Sequence, residues 1–123
     1  MPVEIGETLH VQTAGAWRAW LEANAQHKRE IWLITYKKGA SGRSLDYESV
    51  LDEAACFGWI DSTVKGIDAE RYAMRMSPRR RGGNWTDANL ARVQRLVSEG
   101  RMTPAGLAHL PAPQPQRAVR RGR

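Results

Sequence analysis

The sequence predicts an α+β domain: a small, mostly antiparallel sheet packed with helices, in the order β-α-β-α-β-β-α-α. Three observations carry this reading. The run Ile31-Trp32-Leu33-Ile34-Thr35-Tyr36 is short, apolar and rich in β-branched and aromatic residues, which suits a buried central strand. Residues 60–65 and 71–77 alternate in polarity on either side of Gly66-Ile67-Asp68, as the two arms of a hairpin do. The intervening segments carry apolar stripes at helical spacing, each behind a hydroxyl or carboxylate cap.

In chain order, residues 7–12 read as a first strand. Thr13 is placed to cap a helix whose stripe is Trp17, Trp20, Leu21 and Asn24. The central strand 31–36 ends in a glycine-punctuated loop, Lys37-Lys38-Gly39-Ala40-Ser41-Gly42. Asp46 caps the next helix, with Glu48 in its first turn. Val50, Leu51, Ala54, Ala55 and Phe57 form the expected buried side, and Glu48 and Asp52 are expected to face water. Gly58 ends it in a left-handed conformation. On the hairpin, Tyr72, Met74 and Met76 point one way, and Ala73, Arg75 and Ser77 the other. A turn centred on Asp68 would set Asp61 directly opposite Arg75 as a cross-strand pair. Thr86 opens a third helix with the stripe Leu90, Val93, Leu96 and Val97, stopped by Gly100. Thr103-Pro104 opens a last short helix running to Leu110.

The length of 123 residues suits one domain, assigned to residues 1–110, with a basic Pro/Arg-rich tail over 111–123. That tail carries Arg117, Arg120, Arg121 and Arg123 and no acid, so without it the net charge of +6 falls to +2. Its composition cannot order a core, and disorder is expected there. A solvated end is the plainer reading of the tail; weak, nonspecific contact with nucleic acid is the functional one. No apolar run approaches the roughly 20 residues that span a bilayer, and the first residues lack the pattern of a signal peptide. The expectation is a soluble, cytoplasmic protein. Cys56 is the single cysteine, so an intramolecular disulfide and a multi-cysteine zinc site are excluded. His10, His27 and His109 show no metal-ligand spacing, and no cofactor motif is present.

The densest charge cluster of the body is Arg75, Arg79, Arg80 and Arg81, beside a strand end and a glycine-bearing loop. Guanidinium forks suit a phosphate or carboxylate at Arg75 and Arg79, against the plain alternative of an exposed charged loop, which is the reading for Arg80 and Arg81. Strand alternation aims Arg75, and Pro78 stiffens the neighbourhood of Arg79. Asp61 follows an aromatic-aliphatic pair, which makes it the carboxylate to watch; a structural bridge to Arg75 is its plainer role. Glu53 is its only carboxylate neighbour. Cys56 sits at the wrong end of a helix for thiolate stabilisation and reads as core. Trp59 and Trp85 flank the arginines and can offer ring faces to a base or a guanidinium.

Several motifs at matching spacing make the chain resemble the YdeI/OmpD-associated family, also called the bacteriocin-protection family. They are Trp32-Leu33 with Tyr36-Lys37-Lys38; Tyr47-Glu48 with Glu53-Ala54; and Cys56 through Asp61. They continue with Asp68, Arg71-Tyr72, Arg75, Ser77 through Arg80, Trp85 through Asn89, and Gly100 through Gly106. The resemblance spans residues 31–107. Where the family has Ser-x-Trp-Ser, this chain has Gly83-Asn84-Trp85-Thr86. The resemblance implies a bacterial cytoplasmic protein linked to envelope stress or bacteriocin protection, and it supplies no reaction and no catalytic residues.

The functional expectation is a binding module, with Tyr36, Lys37, Asp61, Arg75, Arg79 and Trp85 lining a site for an anionic ligand or partner. Two alternatives stand beside it. One is a small enzyme with Asp61 or Glu53 as general base and Arg75 on a substrate anion; the other is a nonspecific nucleic-acid binder. No complete catalytic set is visible, so no catalytic residue is assigned.

Overall fold

The computed structural model describes residues 4–80 and 85–111. The elements are β1 (Thr8–Leu9), α1 (Ala14–Asn24), β2 (Ile31–Tyr36), α2 (Tyr47–Cys56), β3 (Trp59–Gly66), β4 (Arg71–Pro78), α3 (Asp87–Ser98) and α4 (Pro104–Leu107). The strands form one sheet in the order β1-β2-β4-β3. β1 runs parallel to β2, and β4 pairs antiparallel with both β2 and β3, so the sheet is mixed within an α+β fold.

The caps form as their chemistry requires. Thr13, Asp46, Thr86 and Thr103 each accept a backbone N–H three residues on, from Ala16, Ser49, Asn89 and Gly106. Gly58 and Gly100 adopt φ of 77° and 71°, the left-handed exit that a Cβ would strain.

α1 and α2 cover one face of the sheet. Trp17, Leu21, Val50 and Ala54 pack on Ile31, Leu33, Trp59, Met74 and Met76, all buried. Each such large apolar side chain contributes about 1.5–3 kcal/mol through removal from water. Trp17 Nε1 donates to the Val50 carbonyl at 3.1 Å, which satisfies the indole and ties α1 to α2.

Four local expectations are corrected. The first strand is two residues long, not six, because the chain turns away after Leu9 and Val11 gives its carbonyl to Leu45 N. Val97 is 49 % exposed, so the buried stripe of α3 narrows to Val93 and Leu96. Asp52 does not face water: it is held at the seam between α2 and α3 by Arg92 and Arg95. The last helix ends at Leu107, short of Leu110.

The hairpin register is the correction with functional weight. Asp61 lies opposite Met76, and Arg75 lies opposite Trp32 of β2. The turn is one residue out of the expected phase. Ile67 and Asp68 both donate their N–H to the Arg71 carbonyl, while the Asp68 carboxylate accepts from the N–H of Glu70 and Arg71. A register shift between Asp61 and Val64 then adds a bulge. One residue of slip moves a side chain to the other face. Asp61 therefore shares the helix-covered face with Met76, and Arg75 stands on the opposite one.

Candidate anion-binding groove

The second face of the sheet carries no helix among the described residues. Trp32 of β2 is fully buried on it, bounded by Gly6, by Glu30 and by its register partner Arg75. A Cβ at Gly6 would lie 2.9 Å from Glu30 Oε2 and 3.6 Å from Trp32 Nε1, so glycine permits this close approach. Next to Trp32, alternation brings Arg75 and Ser77 of β4 level with Ile60 and Ser62 of β3. Arg29, Pro78, Arg79 and Arg80 complete an open groove of about 610 Å³.

Arg75 is oriented by contacts within the protein. Its Nε donates to Glu30 Oε1 at 2.5 Å and one terminal nitrogen donates to Ser62 Oγ at 3.3 Å. The guanidinium is about one-third exposed, and its five donors exceed these two contacts. The Arg79 guanidinium sits over the Trp85 ring, with Cζ 3.8 Å from the ring centroid. Its backbone N–H donates to the Gly58 carbonyl, which fixes the chain as it leaves β4. Burial disfavours the Arg79 charge, and the field of Asp61 opposes that effect. Arg29 and Arg80 are exposed and form no ion pair among the described residues. Among the described residues the groove thus gathers four arginines, with Glu30 paired to Arg75, and adds two serine hydroxyls. Such a surface can take an oxyanion through charge-assisted, forked hydrogen bonds.

The six residues expected to line one site do not converge. Arg75 and Arg79 share the groove, and Trp85 joins it by stacking on Arg79. Tyr36 and Lys37 stand at the other end of the sheet, where Tyr36 pairs with Arg71 and Lys37 N donates to the Glu70 carbonyl. At about 3.3 Å per residue, that end lies roughly 25 Å along β4 from Arg79. Asp61 faces the helices and accepts from the Tyr47 hydroxyl at 2.9 Å. Partial burial and that hydrogen bond both push the Tyr47 phenol up. Arg81 lies outside the described residues.

Glu53, the other carboxylate considered, is 6 % exposed and clamped on both oxygens. Arg18 reaches Oε1 at 3.0 Å and Arg101 reaches Oε2 at 2.8 Å. The clamp joins α1, α2 and the segment before α4. Cys56, one turn on, is fully buried, and burial pushes its thiol up despite the neighbouring Arg18. Among the described residues no three His, Cys, Asp or Glu side chains gather as metal ligands.

Arg29, Ser62 and Ser77 were missed as groove residues, Arg80 was read as exposed loop, and Glu30 was missed as the partner of Arg75. Arg29 and Glu30 immediately precede β2, so antiparallel pairing with β4 places them beside Arg75 and Ser77. That inference needs the pairing of β2 with β4, which residue spacing alone does not supply.

A family model for a domain of unknown function, DUF8412, matches residues 9–109. The chain belongs to the DUF8412 family. The matched span includes every groove residue from Arg29 to Trp85, so the groove is part of the DUF8412 domain of this chain. No curated protein and no solved structure matches the sequence. Among the described residues, no helix is long and apolar enough to cross a membrane.

Proposed function

We propose that this DUF8412 protein is a binding module that takes an anionic ligand or partner on the open face of its sheet, centred on Arg75. The observation that carries the reading is the held geometry of Arg75 among Arg29, Arg79 and Arg80. Holding a guanidinium in place beforehand lowers the ordering cost of binding. The resemblance to YdeI/OmpD-associated proteins supplies the setting of the proposal: a bacterial cytoplasmic module in envelope stress or bacteriocin protection.

An extended polyanion, nucleic acid included, is the second reading, favoured by the openness of the groove along the strands. The enzyme reading has less support. Asp61 and Arg75 occupy opposite faces, and Glu53 spends both oxygens on structural arginines.

A thermal-melt screen tests the proposal with phosphate, pyrophosphate and citrate against chloride at matched ionic strength. At least one oxyanion should raise the Tm of the wild type. Arg75→Lys should lose the rise while keeping its charge, because an ammonium cannot reproduce the fork. A flat response to every oxyanion would end the reading.

A further inference from the structure

At the far end of the sheet lies a second basic concavity, about 360 Å³, made by the loop between β2 and α2. Lys37, Arg43, Gly39 and Gly42 line it with Tyr36 and Ser44. The loop is tied down at several points. Lys37 N donates to the Glu70 carbonyl at 2.8 Å, and Ala40 N returns to the Lys37 carbonyl at 3.0 Å. Ser41 Oγ donates to Glu70 Oε1 at 2.8 Å, and Tyr36 N donates to Ser44 Oγ at 2.9 Å. The His10 ring bonds the Arg43 carbonyl at 2.6 Å and lies against Tyr36, with centroids 5.4 Å apart.

Two positions in the loop require glycine. Gly39 has φ of 85°, and a Cβ on Gly42 would lie 2.3 Å from the Tyr36 ring. These contacts tie the loop at several points, and the backbone around the hollow is bare of side chains where the glycines stand. Lys37 and Arg43 are exposed there without an ion pair among the described residues. Glu70, the adjacent acid, is engaged by Ser41. Two cations around a glycine-lined hollow suit a phosphate oxyanion, which gains from charge and close backbone approach together, and the hollow leaves room for an ester group beside it.

We infer that the Lys37–Ser44 loop is a second, separate binding site for a phosphate group, free or carried on an ester. It does not depend on the Arg75 groove.

The test follows backbone amide shifts of the full chain by NMR during titration with inorganic phosphate, then with phenyl phosphate. Glycine amides resolve well, so Gly39 and Gly42 report the loop, and Ser62 and Ser77 report the groove. Gly39 and Gly42 should shift saturably in the wild type and in Arg75→Gln. In Lys37→Gln/Arg43→Gln the apparent affinity at those amides should fall by about ten-fold or more, the loss of charge-assisted hydrogen bonds. Phenyl phosphate acting as well as phosphate assigns the site to esters; phosphate acting alone assigns it to the free anion. Unmoved Gly39 and Gly42 amides beside shifting Ser62 and Ser77 would overturn this inference and leave the groove reading intact. The reverse pattern would sustain the loop site and show that the groove does not take these phosphates. Should the double variant misfold, Arg43→Lys and Lys37→Gln singly give the same readout.

Discussion

Asp46 shows how much one side chain contributes at a chosen point. Its carboxylate accepts the Ser49 N–H at the start of α2, and this hydrogen bond holds its pKa below the ordinary carboxylate value. A carboxyl depressed in the folded state stabilises above the unfolded pKa of about 3.9, and that stability is lost as pH falls through the folded value. Asp46→Asn should keep the cap and remove its share of the acid sensitivity, since asparagine caps as well as aspartate. Asp46→Ala should cost about 1 kcal/mol at neutral pH. Urea melts at pH 7 and pH 3 check both: Asn should lie close to the wild type at pH 7 and lose less than the wild type on acidification. Equal acid loss in the Asn variant and the wild type would remove this carboxylate from the pH dependence.

Among the elements, the seating of α4 on the end of α2 makes the sharpest demand on a single residue. A Cβ on Gly106 would fall 2.2 Å from the Cys56 carbonyl oxygen, a backbone atom that cannot swing aside. The same carbonyl accepts from the N–H and the hydroxyl of Thr103. Gly106→Ala should therefore destabilise by roughly 2 kcal/mol, the cost of overpacking a closed contact, and chemical denaturation measures it. A neutral result would mean that α4 rides loosely. At this scale the sequence was readable where chemistry is local. The hydroxyl and carboxylate caps, the glycine exits and the β-branched run of β2 each identify their own element. The hairpin register was not readable, because it depends on how Asp68 closes its turn and on the bulge after Asp61. The shifted turn alone would leave Asp61 on the face of Arg75; the bulge changes the parity and sets the two on opposite faces. The grouping of Arg29 and Glu30 with Arg75 was hidden for a related reason: it follows from β2 pairing with β4, a contact remote in sequence. Tyr36 and Lys37 fell out of the site because they lie at the other end of that same pairing.

Seen whole, the described residues set helices on one face of the sheet and the Arg75 groove on the other, and the charge of the chain is unevenly spread. The tail of residues 112–123 lies outside the described residues, and its arginines are still counted in the net charge of +6. If that tail supplies most of any nucleic-acid affinity, a chain ending at Pro111 should keep its Tm and lose binding to an oligonucleotide. The full chain's binding should fall steeply with salt through counterion release. Undiminished binding by the shortened chain would move nucleic-acid recognition onto the open face. The groove itself is tested most directly by calorimetric titration with pyrophosphate of the wild type, Arg75→Lys and Glu30→Gln. Glu30 both aims Arg75 and offsets its charge, so its neutral isostere should bind at least as tightly as the wild type. Arg75→Lys should bind about ten-fold more weakly, the loss of a forked, charge-assisted contact. Wild-type affinity in Arg75→Lys, or weaker binding in Glu30→Gln than in Arg75→Lys, would contradict an anion seated on Arg75.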